Sequence, residues 1–170
     1  LGRVMDELDK LGLREKTIVV FWGDHGYQLG EKGKWSKAGS LWEQGTRTPF
    51  FICDPREQTA GQTSARVVEM VDLYPTLTEL CALKTPEGLE GRSLVPLLKA
   101  PAQAWDHPAY TVWSEDGKSF TGVMVRGSTL ANIDGSRPSR PMANRIRVDP
   151  YSVTSVTENI EITAPAASTV

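Results

Sequence analysis

Six consecutive residues, Thr17, Ile18, Val19, Val20, Phe21 and Trp22, carry no charge and lead directly into Gly23, Asp24, His25 and Gly26. The run is rich in β-branched and aromatic side chains and too short for a good helix. Its unbroken apolar character predicts a strand buried on both faces. Upstream, Val4, Met5, Leu8 and Leu11 recur at helical spacing among Asp6, Glu7, Asp9 and Lys10, and Gly12 stands where a helix stops. An amphipathic helix ending near Lys10 follows. Helix, short turn and buried strand make an α/β unit. Because the chain opens on Leu1 in the middle of that helix, the true N-terminus is expected to lie upstream.

Residues 23–47 hold six glycines and no sustained period, which predicts a long loop, and long ordered loops tend to carry function. Pro49 to Ile52 predict a second strand that ends at Cys53 and Asp54. Farther on, Asp72 is expected to cap a helix bearing Leu73, Leu77 and Leu80, with Pro75 tolerated in its first turn. Leu94, Leu97 and Leu98 form a short apolar face after Gly91, and Ala109–Trp113 and Thr121–Val125 predict two strands. Beyond Arg126 the composition changes. All five tryptophans and all eight lysines precede Gly127, and Tyr151 is the one aromatic after it. The chain therefore divides at 1–126 and 127–170, the second part poorly equipped to build a core.

A net charge of −2, from 19 basic and 21 acidic residues without long like-charge runs, points away from nucleic acid and membrane surfaces and towards a small-molecule partner. Cys53 and Cys81 have neither CxxC spacing nor a disulfide framework around them, so both read as small buried apolar residues.

Asp24 and His25 fall just past the carboxyl end of the predicted strand, where open α/β sheets collect ligands. A carboxylate is a hard oxygen ligand, and a neutral imidazole adds a nitrogen near a divalent ion. An isolated Asp-His pair also serves as a turn cap beside a surface histidine, and both readings stay open on spacing alone. Tyr27 suits either a pocket wall or packing, and Lys32, Lys34 and Lys37 taken singly read as solvated surface lysines.

The longer stretch WGDHGYQLGEKGKWSK followed by EQGTRTPFFI, with EMVDLYPTLTE at 69–79 and LEGRSLVPLL at 89–98, resembles the type I sulfatases of the alkaline phosphatase superfamily. The subgroup that includes iduronate-2-sulfatase and choline-sulfatase is the most similar. The resemblance covers about residues 1–126. It implies an α/β chain forming part of an alkaline-phosphatase-like sandwich, the C-terminal portion of a sulfatase with a small α+β subdomain. It also implies that Asp24 and His25 help bind a catalytic divalent cation, usually calcium, and that Lys37 contacts the sulfate and aids the leaving oxygen. The implied partners are a small sulfated substrate and the missing N-terminal part of the same enzyme.

Sulfatases of this type use a formylglycine made within a CxPxR motif. Residues 53–57 read CDPRE, with arginine one place early and Glu57 in its stead, on a strand after the lysine loop rather than far upstream. Cys53 thus reads as a packing residue and Asp54-Pro55 as a turn. The formylglycine is expected in the missing upstream segment, and this chain alone is expected to be inactive. His107 reads as a loop residue. A phosphonate monoester or phosphodiester hydrolase of the same superfamily, or a non-catalytic metal-binding or interaction domain, would share the same signals.

Overall fold

The computed structural model describes residues 1–37, 40–114 and 122–127, together with the backbone pairing of 156–157 and 160–162. In chain order the elements are helix α1 (Gly2–Lys10), strands β1 (Val19–Trp22), β2 (Gln28–Leu29) and β3 (Trp35–Ser36), helix α2 (Glu43–Thr46), strands β4 (Phe50–Cys53), β5 (Gln62–Ser64) and β6 (Val68–Glu69), helices α3 (Leu73–Leu80) and α4 (Val95–Lys99), and strands β7 (Ala109–Trp113), β8 (Gly122–Arg126), β9 (Val156–Thr157) and β10 (Ile160–Ile162). Of the expected loop and tail, residues 38–39 and most of 127–170 lie outside the described residues, as does Thr121 at the start of an expected strand.

Four strands form the main sheet in the order β1, β4, β10, β5. β1 runs antiparallel to β4, with Val20 opposite Ile52 and Phe21 opposite Phe51, while β10 runs parallel to β4. Alternation then sorts the side chains. Phe50 and Ile52 join Val68, Leu80, Leu94, Val95, Leu97 and Leu98 in one core, and Ile18 and Val20 pack against it. Leu94, Leu97 and Leu98 are essentially fully buried, as their spacing requires. Each such leucine contributes about 1.5–3 kcal/mol relative to exposure. The opposite face carries the stacked pair Phe21 and Phe51, ring centres 5.1 Å apart.

β1 differs from its expected environment. Among the described residues it is an edge strand, and Phe21 and Trp22 are exposed by 39% and 48%. Its apolar run has a packed face only where Ile18 and Val20 meet the core. The 23–47 segment is also more ordered than a plain loop, because β2 pairs with β3 across a tight turn. Cys53 is buried as expected, but Cys81 is exposed, since it stands at the C-cap of α3 beyond the buried Leu80.

Asp72 does not cap α3 with its side chain. Its carboxylate turns back instead, accepting the Glu69 N–H at 2.9 Å and the Arg92 N–H at 2.8 Å. The Glu69 carboxylate completes a capping box with the backbone of Asp72 and accepts the Tyr110 N–H at 2.8 Å, tying β7 to the start of α3. Burial pushes Glu69 up to about 7 against the pull of that N–H, with Asp72 and Glu90 adding repulsion. Burial raises Asp72 in the same sense. A carboxyl raised from 4.5 to about 7 stabilises the fold fully below 4.5, and the contribution is lost as pH rises through 7. Melting temperature should therefore fall between pH 5 and 8, and Glu69→Gln should flatten that slope. An unchanged slope in the variant would remove Glu69 as its source.

Candidate active site

The site is built where β1 ends. Gly23 donates its N–H to the Pro49 carbonyl at 3.1 Å, and Gly26 donates to the Gly45 carbonyl at 3.0 Å, so the Asp24-His25 turn is pinned to the segment leading into β4. The second contact leaves no room for a side chain. A Cβ at Gly26 would overlap the Gln44 carbonyl and lie 2.7 Å from that of Arg47.

Within this turn the three residues singled out in the sequence come together. Lys37 Nζ stands 3.0 Å from Asp24 Oδ2, and His25 Nε2 stands 3.6 Å from the same oxygen. The His25 backbone N–H donates to Asp24 Oδ1 at 3.1 Å. His25 Nδ1 lies 2.6 Å from the Gly26 carbonyl, which can only accept, so Nδ1 carries the proton. A neutral ring then keeps its lone pair on Nε2, the nitrogen turned towards Asp24. The hydrogen bond from Lys37 holds the Asp24 carboxyl below the usual carboxylate range. Asp24 thus offers an ionised oxygen, and His25 offers a nitrogen lone pair beside it. Lys37 and Asp24 are both about two-thirds exposed, so their ion pair adds little to stability and its charges remain accessible.

This donor set fits part of a divalent-cation site. Asp24 Oδ2 and His25 Nε2 would hold the ion, but a calcium ion takes about six to eight oxygens. Among the described residues no group of three or more His, Cys, Asp or Glu side chains could complete it.

Other expected residues fall elsewhere. Tyr27 is half exposed. Asp54 and Pro55 do form a turn, in which Asp54 Oδ1 accepts the Arg56 N–H at 3.0 Å. The Arg56 guanidinium grips the same carboxylate at 2.8 and 2.6 Å and reaches the Leu80 carbonyl at 2.9 Å. The arginine of CDPRE therefore locks β4 to the end of α3, and Cys53 beside it is buried in β4. His107 is a loop residue, with Nε2 accepting from Arg92 Nη1 at 2.5 Å.

One residue had no signal in the sequence. Gln28 is fully buried beneath the hairpin, and neither end of its amide has a hydrogen-bond partner among the described residues. A buried, unpaired amide ordinarily costs about 1–3 kcal/mol. β2 is two residues long, too short for alternation to announce which of Gln28 and Leu29 points inward.

Residues 1–82 match the Sulfatase family. A protein from Formosa agariphila described as "Sulfatase" is 39% identical over 127 residues, which make up 75% of this chain and 24% of that one. Among solved structures, BT4656 in complex with its substrate D-glucosamine-2-N,6-O-disulfate superposes with a TM-score of 0.63 at 28% identity, over 75% of this chain and 27% of that one. The phosphonate monoester hydrolase SpPMH from Silicibacter pomeroyi superposes with a TM-score of 0.55 at 29% identity, over 64% and 21%. The chain thus spans about a quarter of the length of these relatives. By its sequence and by its fold, the chain belongs to the sulfatase family.

Proposed function

We propose that this chain is the C-terminal part of a metal-dependent sulfuric ester hydrolase of the iduronate-2-sulfatase and choline-sulfatase type. In this reading residues 1–126 belong to the sulfatase domain and 127–170 form a divergent tail. The observation that carries it is the meeting of Lys37, Asp24 and His25 at the end of β1. Lys37 presents an accessible ammonium that a sulfate group can share with Asp24. Asp24 and His25 would hold a divalent cation, with calcium the leading candidate. When bound, that cation supplies Lewis-acid stabilisation of charge on the sulfuryl oxygens. His25 keeps its orientation through the Gly26 carbonyl, which fixes the tautomer that leaves Nε2 able to ligate. In this reading the nucleophile, a formylglycine in this family, comes from an upstream segment; CDPRE lacks the register of the family's motif, and its arginine is engaged with Asp54 and Leu80.

The 170-residue chain alone should not turn over an aryl sulfate and should bind calcium weakly, since two ligands cannot satisfy the ion. In the full-length enzyme, Asp24→Ala should lower both metal retention and turnover. Normal values for both would remove Asp24 from the site. Likeness to a phosphonate monoester hydrolase supports a second reading, phosphonate or phosphodiester hydrolysis on the same scaffold. Paired sulfate and phosphonate esters of one alcohol separate the two, and preference for the phosphonate would overturn the first. A non-catalytic domain would show neither activity, and calcium would leave its stability unchanged.

A further inference from the structure

The β2–β3 hairpin delivers Lys37, which follows β3 directly. Its turn holds three residues in the left-handed region, Gly30 at φ 109°, Gly33 at φ 69° and, between them, Lys32 at φ 56° and ψ 27°. Glycine adopts this backbone freely, whereas a residue with a Cβ does so under strain. A lysine at this position carries a small backbone cost, and its side chain can make contacts that glycine cannot. The structure shows a contact that fits: Lys32 Nζ stands 4.6 Å from the centre of the Trp42 ring.

Trp42 is the N-cap of α2, and its carbonyl accepts the N–H groups of Gly45 at 2.8 Å and Thr46 at 3.1 Å. Gly45 in turn accepts the N–H of Gly26, the residue after His25. One route thus runs from Lys32 through Trp42 and α2 to the Asp24-His25 turn. A second runs from Lys32 along the hairpin to Lys37, and the two meet at the contact between Lys37 and Asp24. The contact of Lys32 with Trp42 is thus a direct link between the turn of the hairpin and α2.

We propose that Lys32 is a positioning residue: its ammonium, seated on Trp42, clamps the hairpin against α2 and holds Lys37 within hydrogen-bonding reach of Asp24. The inference rests on the sulfatase reading of the site. A cation over an indole face is attracted by the ring quadrupole, and the contact acts at a distance from the reacting group, through geometry. Misplacing Lys37 should therefore affect the chemical step more than substrate affinity.

In the full-length enzyme, Lys32→Met should lower turnover at saturating substrate about tenfold with KM unchanged and no dependence on salt, a loss well within what a misplaced catalytic group causes. Lys32→Arg should restore most of it, and Trp42→Leu should reproduce the loss. On a Lys37→Ala background, Lys32→Met should cost nothing more. A readout independent of activity is the upfield ring-current shift of the Lys32 Cε protons in the NMR spectrum, which Trp42→Leu should abolish. Unchanged turnover in Lys32→Met, a purely salt-sensitive change in KM, or losses that multiply with Lys37→Ala would each overturn the proposal. Turnover indifferent to Lys37→Ala would sink the functional reading instead, and the ring-current shift would then report on the clamp by itself.

Discussion

Lys37→Ala in the full-length enzyme should lower turnover at saturating substrate by about 10² to 10³, the usual consequence of removing one oriented contact to developing charge. The reason lies in how the ammonium is held. Lys37 sits 3.0 Å from Asp24 on a hairpin and is open to solvent, so in the free protein it contributes little to stability. Its removal should leave the melting temperature nearly unchanged. A substrate that covers the site excludes water, and the same charge then acts at short range in a drier medium. Lys34→Ala is the control, because general positive charge in this loop can only steer an anionic ester, an effect that salt screens. Lys34→Ala should therefore change affinity at low salt and leave turnover alone. Equal, modest effects from both variants would mean that Lys37 is ordinary surface charge.

Gly26→Ala should be as damaging to activity and more damaging to the fold. The added methyl overlaps the Gln44 carbonyl and comes within 2.7 Å of that of Arg47, both backbone atoms that cannot swing aside. Relief requires the turn to lift from α2, which breaks the hydrogen bond from Gly26 to Gly45 and carries His25 with it. Overpacking of this kind costs about 1–3 kcal/mol. A displacement of about 1 Å at a catalytic group costs about 10² in rate. The variant should therefore melt earlier and lose turnover together, whereas Gly2→Ala, where a Cβ meets nothing within 4 Å, should do neither. Full activity in Gly26→Ala would show that the turn tolerates being moved.

What could be read in advance follows the range of the forces involved. The order of strand, Asp-His turn and lysine was legible because it is written in contiguous residues, and the burial of Leu94, Leu97 and Leu98 was legible from local spacing. The edge position of β1 was not, because burial depends on which other strands lie beside it, and the same apolar run suits a central or an edge strand. Asp72 looked like a helix cap because its neighbours allow one. Its actual partners include the backbone of Arg92, 20 residues away, which no local pattern reveals. The contact of Lys32 with Trp42 was hidden for a similar reason, since a lysine in a glycine-rich loop resembles a solvated one until the turn closes. The near-motif around Cys53 departs from CxPxR in register and in its place along the chain, and in the structure its arginine grips Asp54 and the Leu80 carbonyl.

The position of β1 at the rim of the sheet has a consequence for how such a chain behaves in company. Val19–Trp22 has hydrogen-bonding groups turned outward with no strand against them among the described residues, and it has no charge, proline or bulge to discourage a visitor. Such an edge is a ready template for another extended backbone, and the uncovered aromatic side chains beside it add adhesive surface. On the proposed reading of this chain as part of a longer enzyme, a segment of that enzyme lying against β1 would act as a chaperoning cover as well as a structural neighbour, keeping the strand that leads to Asp24 and His25 from pairing with copies of itself.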